Sequence, residues 1–361
     1  MAWLLKVTVT GLAELLTVET VKTAAFTQRS TALLPEGEED DVNRRDFTLD
    51  AVALVAGVAS EPWERLAAVL GGSRPDAEST AALLNTTVSM FSEEEHTPAR
   101  MLASKLGAHL EDITALLPTA GVHQQALTIA AGETAALAGW TYWDLGDHER
   151  AQGYYRTARK AAGVSGHRPL HALVLGYASY GASAPRAREM LAAAQEHVRG
   201  RDYAAARSWL AAREAEECAA AEDREGAVRA LDRAETAFDY ADPATAPAWT
   251  SFYGRARLGS MRVSAYARLR HQGLGSAADQ TLADLGEDDR KVRVAILGDV
   301  ASGYLTSGNV DQAVNLGRRA LAATIESETT IGHVRLSALA DRLPGTAAAR
   351  ELREEIQAAL A

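Results

Sequence analysis

Residues 133–162 read ETAALAGWTYWDLGDHERAQGYYRTARKAA, and their order of small, aromatic and turn residues predicts one helical hairpin. Ala138 and Gly139 are small enough to let two helices approach closely. Gly146-Asp147 closes the turn. Ala151, Tyr155 and Ala158 then recur at i, i+4 and i+7, the spacing of one packing face on the returning helix.

The same pattern returns along the chain. The alanine that opens each returning helix reappears at Ala187, Ala227, Ala278 and Ala313, about 35 to 50 residues apart, against the 34-residue period of tetratricopeptide repeats. Tyr304, Gly308-Asn309, Ala313 and Ala320 match Tyr142, Gly146-Asp147, Ala151 and Ala158. One unit keeps Gly273, Ala278 and Leu282; another keeps Ala227, Leu231 and Ala234 with Glu222-Asp223 at the turn; the most divergent has Gly176, Ala187, Leu191 and Ala194. The largest insertion, ADPATAPAW at 241–249, carries Pro243 and Pro247 and reads as a loop.

Composition agrees with an array of helices. Hydrophobic residues make up 47% of the 361 residues but aromatics only 6%, an alanine-, leucine- and valine-rich chain with few strand signals. A repeat array has no single-core size limit, so the length does not force several domains. The net charge of −11 argues against a broad phosphate-binding surface. The one cysteine, Cys218, excludes an internal disulfide and suits a reducing cytoplasm. No apolar run reaches the 18 or so residues of a membrane span, and Arg44-Arg45 lies too far into the chain for an export signal.

In order, residues 1–34 form a short helical segment, 35–41 an acidic linker and 42–120 helices that pack on the array. Residues 121–325 hold about five degenerate hairpins, and 326–361 a capping pair. Within the second block, 76–95 and 98–117 read as an antiparallel pair, with Pro98 in a first turn and Pro118 just past an end.

The segments LAGWTYWDLGDHERAQGYYRTARKAA (137–162), DREGAVRALDRAE (223–235) and SGNVDQAVNLGRRALAAT (307–324) make the chain similar to tetratricopeptide repeat proteins. With NRRDFTLDAVALVAG at 43–57, it resembles the repeat portion of actinobacterial regulators that join a helix-turn-helix domain to such repeats. The resemblance implies an all-α, right-handed solenoid of helical hairpins. It also implies a non-enzymatic role in transcriptional regulation, with a protein, peptide or small effector held in a concave groove. The DNA-binding domain of such regulators needs on the order of 60 residues, and only 34 precede the linker. GLAELLTVETVKTAAF is therefore either a remnant of that domain or a capping hairpin, and nucleic-acid binding is not expected of this chain alone. The alternatives are a DNA-binding regulator using a truncated N-terminal helix-turn-helix, completed by another subunit, and an auxiliary enzyme of secondary metabolism with its pocket among the aromatic residues; a homodimer is compatible with the pattern.

In such an array the first helix of each hairpin lines the groove. Taking Gly139, Gly176 and Ala215 as packing points, the groove-facing neighbours are Trp140, Trp143, Asp144, Tyr177, Tyr180, Trp209 and Glu216. This aromatic stripe with an acidic edge favours an apolar or cationic ligand over an acidic one. The alternative is that the rings pack between repeats. Trp249, Phe252 and Tyr253 read as a loop folded back on the array, and the adjacent Arg255 and Arg257 as a solvated basic edge or, alternatively, as partners of a carboxylate. No cofactor or metal is expected: His167 and His171 flank Pro169 without further ligands at metal spacing, and there is no phosphate loop or nucleophile elbow.

Overall fold

The computed structural model describes residues 77–286, 290–327 and 330–360, and in them the chain is all-helical, without strands. The chain divides into Met1–Val58 and Ala59–Ala361, and every described residue belongs to the second unit. The expectations for 1–34, for the acidic linker and for the start of the 42–120 block fall outside the described residues.

Fourteen helices follow one another: α1 (Ala77–Glu93), α2 (Ala99–Leu116), α3 (Gln124–Asp144), α4 (His148–Ser165), α5 (Arg168–Ala178), α6 (Ala184–His197), α7 (Ala204–Ala220), α8 (Arg224–Phe238), α9 (Arg255–Leu269), α10 (Leu274–Asp284), α11 (Arg290–Thr306), α12 (Val310–Ser327), α13 (Thr330–Arg342) and α14 (Ala347–Leu360). From α3 onward they form six pairs, α3/α4 through α13/α14, each packed within itself. First helices also meet first helices, as in α3 with α5, α7 with α9, α9 with α11 and α11 with α13. Five pairs lie in the predicted repeat region and the sixth is the final pair.

Local chemistry accounts for the boundaries. Gly146 takes a left-handed φ of 77°, the Asp147 carboxylate accepts from the Arg150 amide at 3.1 Å, and α4 starts there. Gly308 (φ 86°) and Asn309, which accepts from Gln312 N at 3.2 Å, repeat the device before α12. Before α8 the capping residue is Asp223, 2.8 Å from Gly226 N, but the left-handed position is held by Glu222 at φ 60°. A side chain there costs about 1 kcal/mol relative to glycine, which the buried α7–α8 contact offsets.

The packing faces are those the spacing marks. Ala151, Tyr155 and Ala158 are buried. A Cβ on Gly139 would lie 2.6 Å from the Tyr155 ring, so only glycine lets α4 seat its tyrosine on α3. Gly176 plays the same part on α5, where a Cβ would overlap the indole of Trp209 on α7. Helix α1 packs on its neighbour α2 and on α3. It also packs on the short turn 248–250 of the proline-containing loop, and Ser251 Oγ donates to the Phe91 carbonyl at 3.5 Å.

Candidate functional site

A cavity of about 1040 Å³ opens along the first helices of all six pairs, at the upper end of the usual range for ligand sites. Trp140 and Trp143 come from α3, Tyr177 and Tyr180 from α5 and the turn after it, and Trp209, Arg213, Glu216 and Glu217 from α7. Helix α9 adds Arg257 and Arg268, α11 adds Asp299 and Ser302, and α13 adds Arg335 and Arg342. Glu94 and Glu95, just past α1, and Phe252 complete the aromatic end.

Six of the seven residues expected in the groove line this cavity; Asp144 does not. It is 1% exposed and lies among the buried residues of α3, one turn after Trp140. The two readings of the aromatic stripe prove to be one arrangement. Trp140 stacks on Tyr177 with ring centroids 5.2 Å apart and meets Tyr180 edge-on at 5.2 Å. Tyr177 meets Trp209 at 5.6 Å, and Trp209 meets Phe252 at 5.5 Å. The rings join neighbouring pairs through their edges and stacked faces while the remaining surface walls the cavity. Trp209 has no exposed surface and Tyr177 is buried, whereas Trp140, Trp143 and Tyr180 are partly exposed.

The polar groups are held as tightly as the rings. Trp140 Nε1 donates to Glu94 at 3.2 Å. The Arg213 guanidinium lies 4.3 Å over the Tyr180 ring, 3.3 Å from Glu216 and in an ion pair with Glu217. Burial opposes its charge, but Glu216, Tyr180 and Glu217 outweigh that and raise its pKa above the ordinary arginine value. Deeper in, Asp299 accepts from Ser260 Oγ at 2.7 Å and Arg335 Nε at 2.9 Å, with Arg257 at 3.5 Å.

Arg257 therefore takes the second of its two readings, meeting the Asp299 carboxylate rather than solvent. It is 7% exposed and faces the cavity; burial is again outweighed, here by Tyr180, Asp299 and Glu216. Arg255 lies elsewhere, between Glu235 and Asp239 and over the Phe238 ring. Trp249 and Tyr253 are buried, the latter 2.9 Å from Ser208 Oγ, so the loop does fold back on the helices. His171 stacks on His197 at 5.0 Å, and among the described residues no group of three or more His, Cys, Asp or Glu is arranged to hold a metal.

The arginines of α9, α11's Asp299 and the α13 arginines were not among the expected site residues, yet they follow the same rule. Residues 292, 295, 299, 302 and 306 on α11, and 335, 338 and 342 on α13, are spaced by three and four, one face of a helix. Carrying the groove face forward past α7 would have reached them; the aromatic signal that marked the face simply stops there.

One carboxyl on α3 titrates abnormally. Glu133 lies two turns before Trp140, and burial pushes its pKa up to about 7 from 4.5. The folded state thus favours the neutral acid, and the stabilisation is lost as pH rises from the ordinary carboxylate range through 7. Glu133→Gln is expected to be about 2–3 kcal/mol more stable than wild type at pH 8, with the gap closing toward pH 4.5. Urea unfolding at the two pH values reads this directly.

No family model, no curated protein and no solved structure matches this chain.

Proposed function

We propose that this protein is a non-enzymatic recognition module, a tetratricopeptide-like right-handed solenoid of five hairpins and a cap that binds a peptide or small effector in a groove along its first helices. Its role is regulatory, as in the regulators its sequence resembles, with the bound molecule as the signal. The observation that carries the reading is the 1040 Å³ cavity walled by the first helix of every pair. Its rings are fixed by one another, and Arg213, Glu216, Glu217, Arg257, Asp299 and Arg335 by ion pairs, so much of the wall is preorganised and little entropy is lost on binding. Ion-paired side chains of this kind orient a ligand; they are not poised as free acids or bases for proton transfer.

The test is native mass spectrometry of the protein after incubation with a dialysable cell extract. Wild type is expected to retain a molecule that the Trp140→Ala/Trp143→Ala double variant loses while its helical circular dichroism stays intact. Trp143→Ala alone is the control for folding, since that ring is seated mainly against Gly181, where a Cβ would lie 2.9 Å away. No retained molecule in wild type, or equal retention by all three proteins, would sink the proposal.

A further inference from the structure

The charged groups on the cavity lining differ in whether the protein already answers them. Glu216 and Glu217 are matched by Arg213, and Asp299 by Arg257 and Arg335. Glu94 accepts from Trp140 Nε1, and Glu95 is engaged as well. Arg213 and Arg257 are further tied to Tyr180, the first with its guanidinium 4.3 Å over the ring. Three guanidiniums have no such answer. Among the described residues the side chains of Arg268 and Arg270 make no ion pair or hydrogen bond, and that of Arg342 donates only to the neutral Thr306 hydroxyl. All three are exposed on the lining.

They also stand together. Helix α11 packs between α9 and α13, and the three run in the same direction: Asp299 meets Ser260 and Arg335, Gly303 backs onto Val263, and Thr306 meets Arg342. Residues 268, 270, 306 and 342 therefore gather at the C-terminal ends of three neighbouring helices, with Ser302 and Thr306 on the lining between the α9 arginines and Arg342. An arginine in a last turn complements the dipole of its own helix, which accounts for each one singly and not for three that open on one cavity. Arg270 is also held at a conformational cost. Its φ of 48° puts it in the left-handed position that Gly146 and Gly308 hold in their turns, with the same backbone bonds, from residue i to i−3 and from i+1 to i−4, and a side chain is disfavoured there.

Resting on the recognition role proposed above, we infer that the ligand is an organic anion whose carboxylate or phosphate group is held by Arg268, Arg270 and Arg342, where α9, α11 and α13 end. Guanidiniums bind either group through paired N–H donors, and the Ser302 hydroxyl adds a donor beside them. A cation is the poorer fit. Tyr180 already has the Arg213 guanidinium over its ring, and Trp140 turns a face to Tyr177. The aromatic stripe, which alone favours an apolar or cationic ligand, thus supplies apolar surface, and the unanswered arginines set the sign of the charge.

Ligand-observed NMR with one aromatic body in several charge states tests the inference. The probes are naphthylacetate, its neutral amide, naphthylmethylamine and naphthyl phosphate, since the partly exposed Trp140, Trp143 and Tyr180 offer surface to a fused ring. Wild type is expected to bind the carboxylate about tenfold more tightly than the amide, the worth of one charge-assisted contact, and the amine most weakly. Arg268→Gln/Arg270→Gln should lose most of that preference, as should Arg342→Gln, while the amide binds as it does to wild type. These side chains are exposed, so the fold is not at stake. Arg186→Gln/Arg229→Gln, which removes two exposed arginines away from the lining, is the control for net charge and should keep the preference. Tighter binding of the phosphate than of the carboxylate would assign the head group to phosphate, and the reverse to carboxylate; either accords with the inference.

Binding of the amide or the amine as tightly as the carboxylate by wild type would overturn the anion while leaving the recognition role in place. A preference that survives in the arginine variants, or is lost equally in the Arg186/Arg229 control, would overturn the site. If none of the four probes binds, the inference fails, and the extract experiment with the Trp140/Trp143 variant decides the recognition role separately.

Discussion

Trp209→Ala is expected to destabilise the central pairs by about 3–5 kcal/mol, the range for deleting a fully buried aromatic side chain. Trp209 has no exposed surface. It is seated in the notch left by Gly176 and meets Tyr177, Phe252 and Trp249, the last at 6.3 Å. No neighbour can collapse into the space, because Tyr177 is held by Trp140 on its other side and Trp249 by the turn that α1 covers. Trp209→Phe keeps part of the ring contact and should cost roughly half as much. In an array stability is set by each unit and its neighbours. Hydrogen exchange should therefore show protection falling most in α5 and α7 and least in α14. Uniform loss along the chain would contradict this. The Gly176→Val variant, which forces a side chain into the same notch, should reproduce the pattern by overpacking.

Asp299→Ala is the second substitution with a large effect, also about 3–5 kcal/mol, but for an electrostatic reason. Asp299 is the acceptor shared by Arg257, Arg335 and Ser260, and its side chain and that of Arg257 are 11% and 8% exposed. Removing one partner of a buried ion pair leaves the other charge without compensation, which costs far more than the pair itself contributes. The exposed pair Lys105–Glu93, 2.7 Å apart with side chains 50% and 39% exposed, is the internal control. Lys105→Ala should change stability by less than about 1 kcal/mol. Urea unfolding of the two variants side by side checks the contrast, and similar losses from both would show that burial does not set the worth of these pairs here.

Together the two variants separate the halves of the cavity. The aromatic end is held by shape, since every ring fills a notch or stacks on another. Farther along, charge does the holding, with Arg257 and Arg335 on Asp299 and Arg257 also drawn to Tyr180 and Glu216.

The helix pairs were legible in the chain because their signals are local. A left-handed glycine before Asp147 or Asn309, alanines at i, i+4 and i+7, and prolines at 98 and 118 act within one or two turns of where they stand. Even the divergent turn at Glu222-Asp223 could be placed, since its capping aspartate survives without the glycine. The groove face on α3, α5 and α7 was legible too, through aromatics at helical spacing, though not the fact that the same rings join the pairs and wall the cavity. Asp144 shares the face of Trp140, four residues before it, yet is buried and off the cavity lining, because spacing fixes a residue's angle on its helix and not what packs over it. Gly139 turned out to face Tyr155 of its own pair.

What the sequence by itself determined is the order of helices, their ends and the small-residue faces on which they pair, all consequences of backbone geometry and short-range hydrogen bonding. Only the tertiary structure decided which distant side chains share a site. It brings Glu94 to Trp140, Arg257 to Asp299 and Ser251 to Phe91, the last pair 160 residues apart. No local rule encodes these meetings. They depend on the accumulated stacking of six helix pairs, which sums many small packing choices into one cavity.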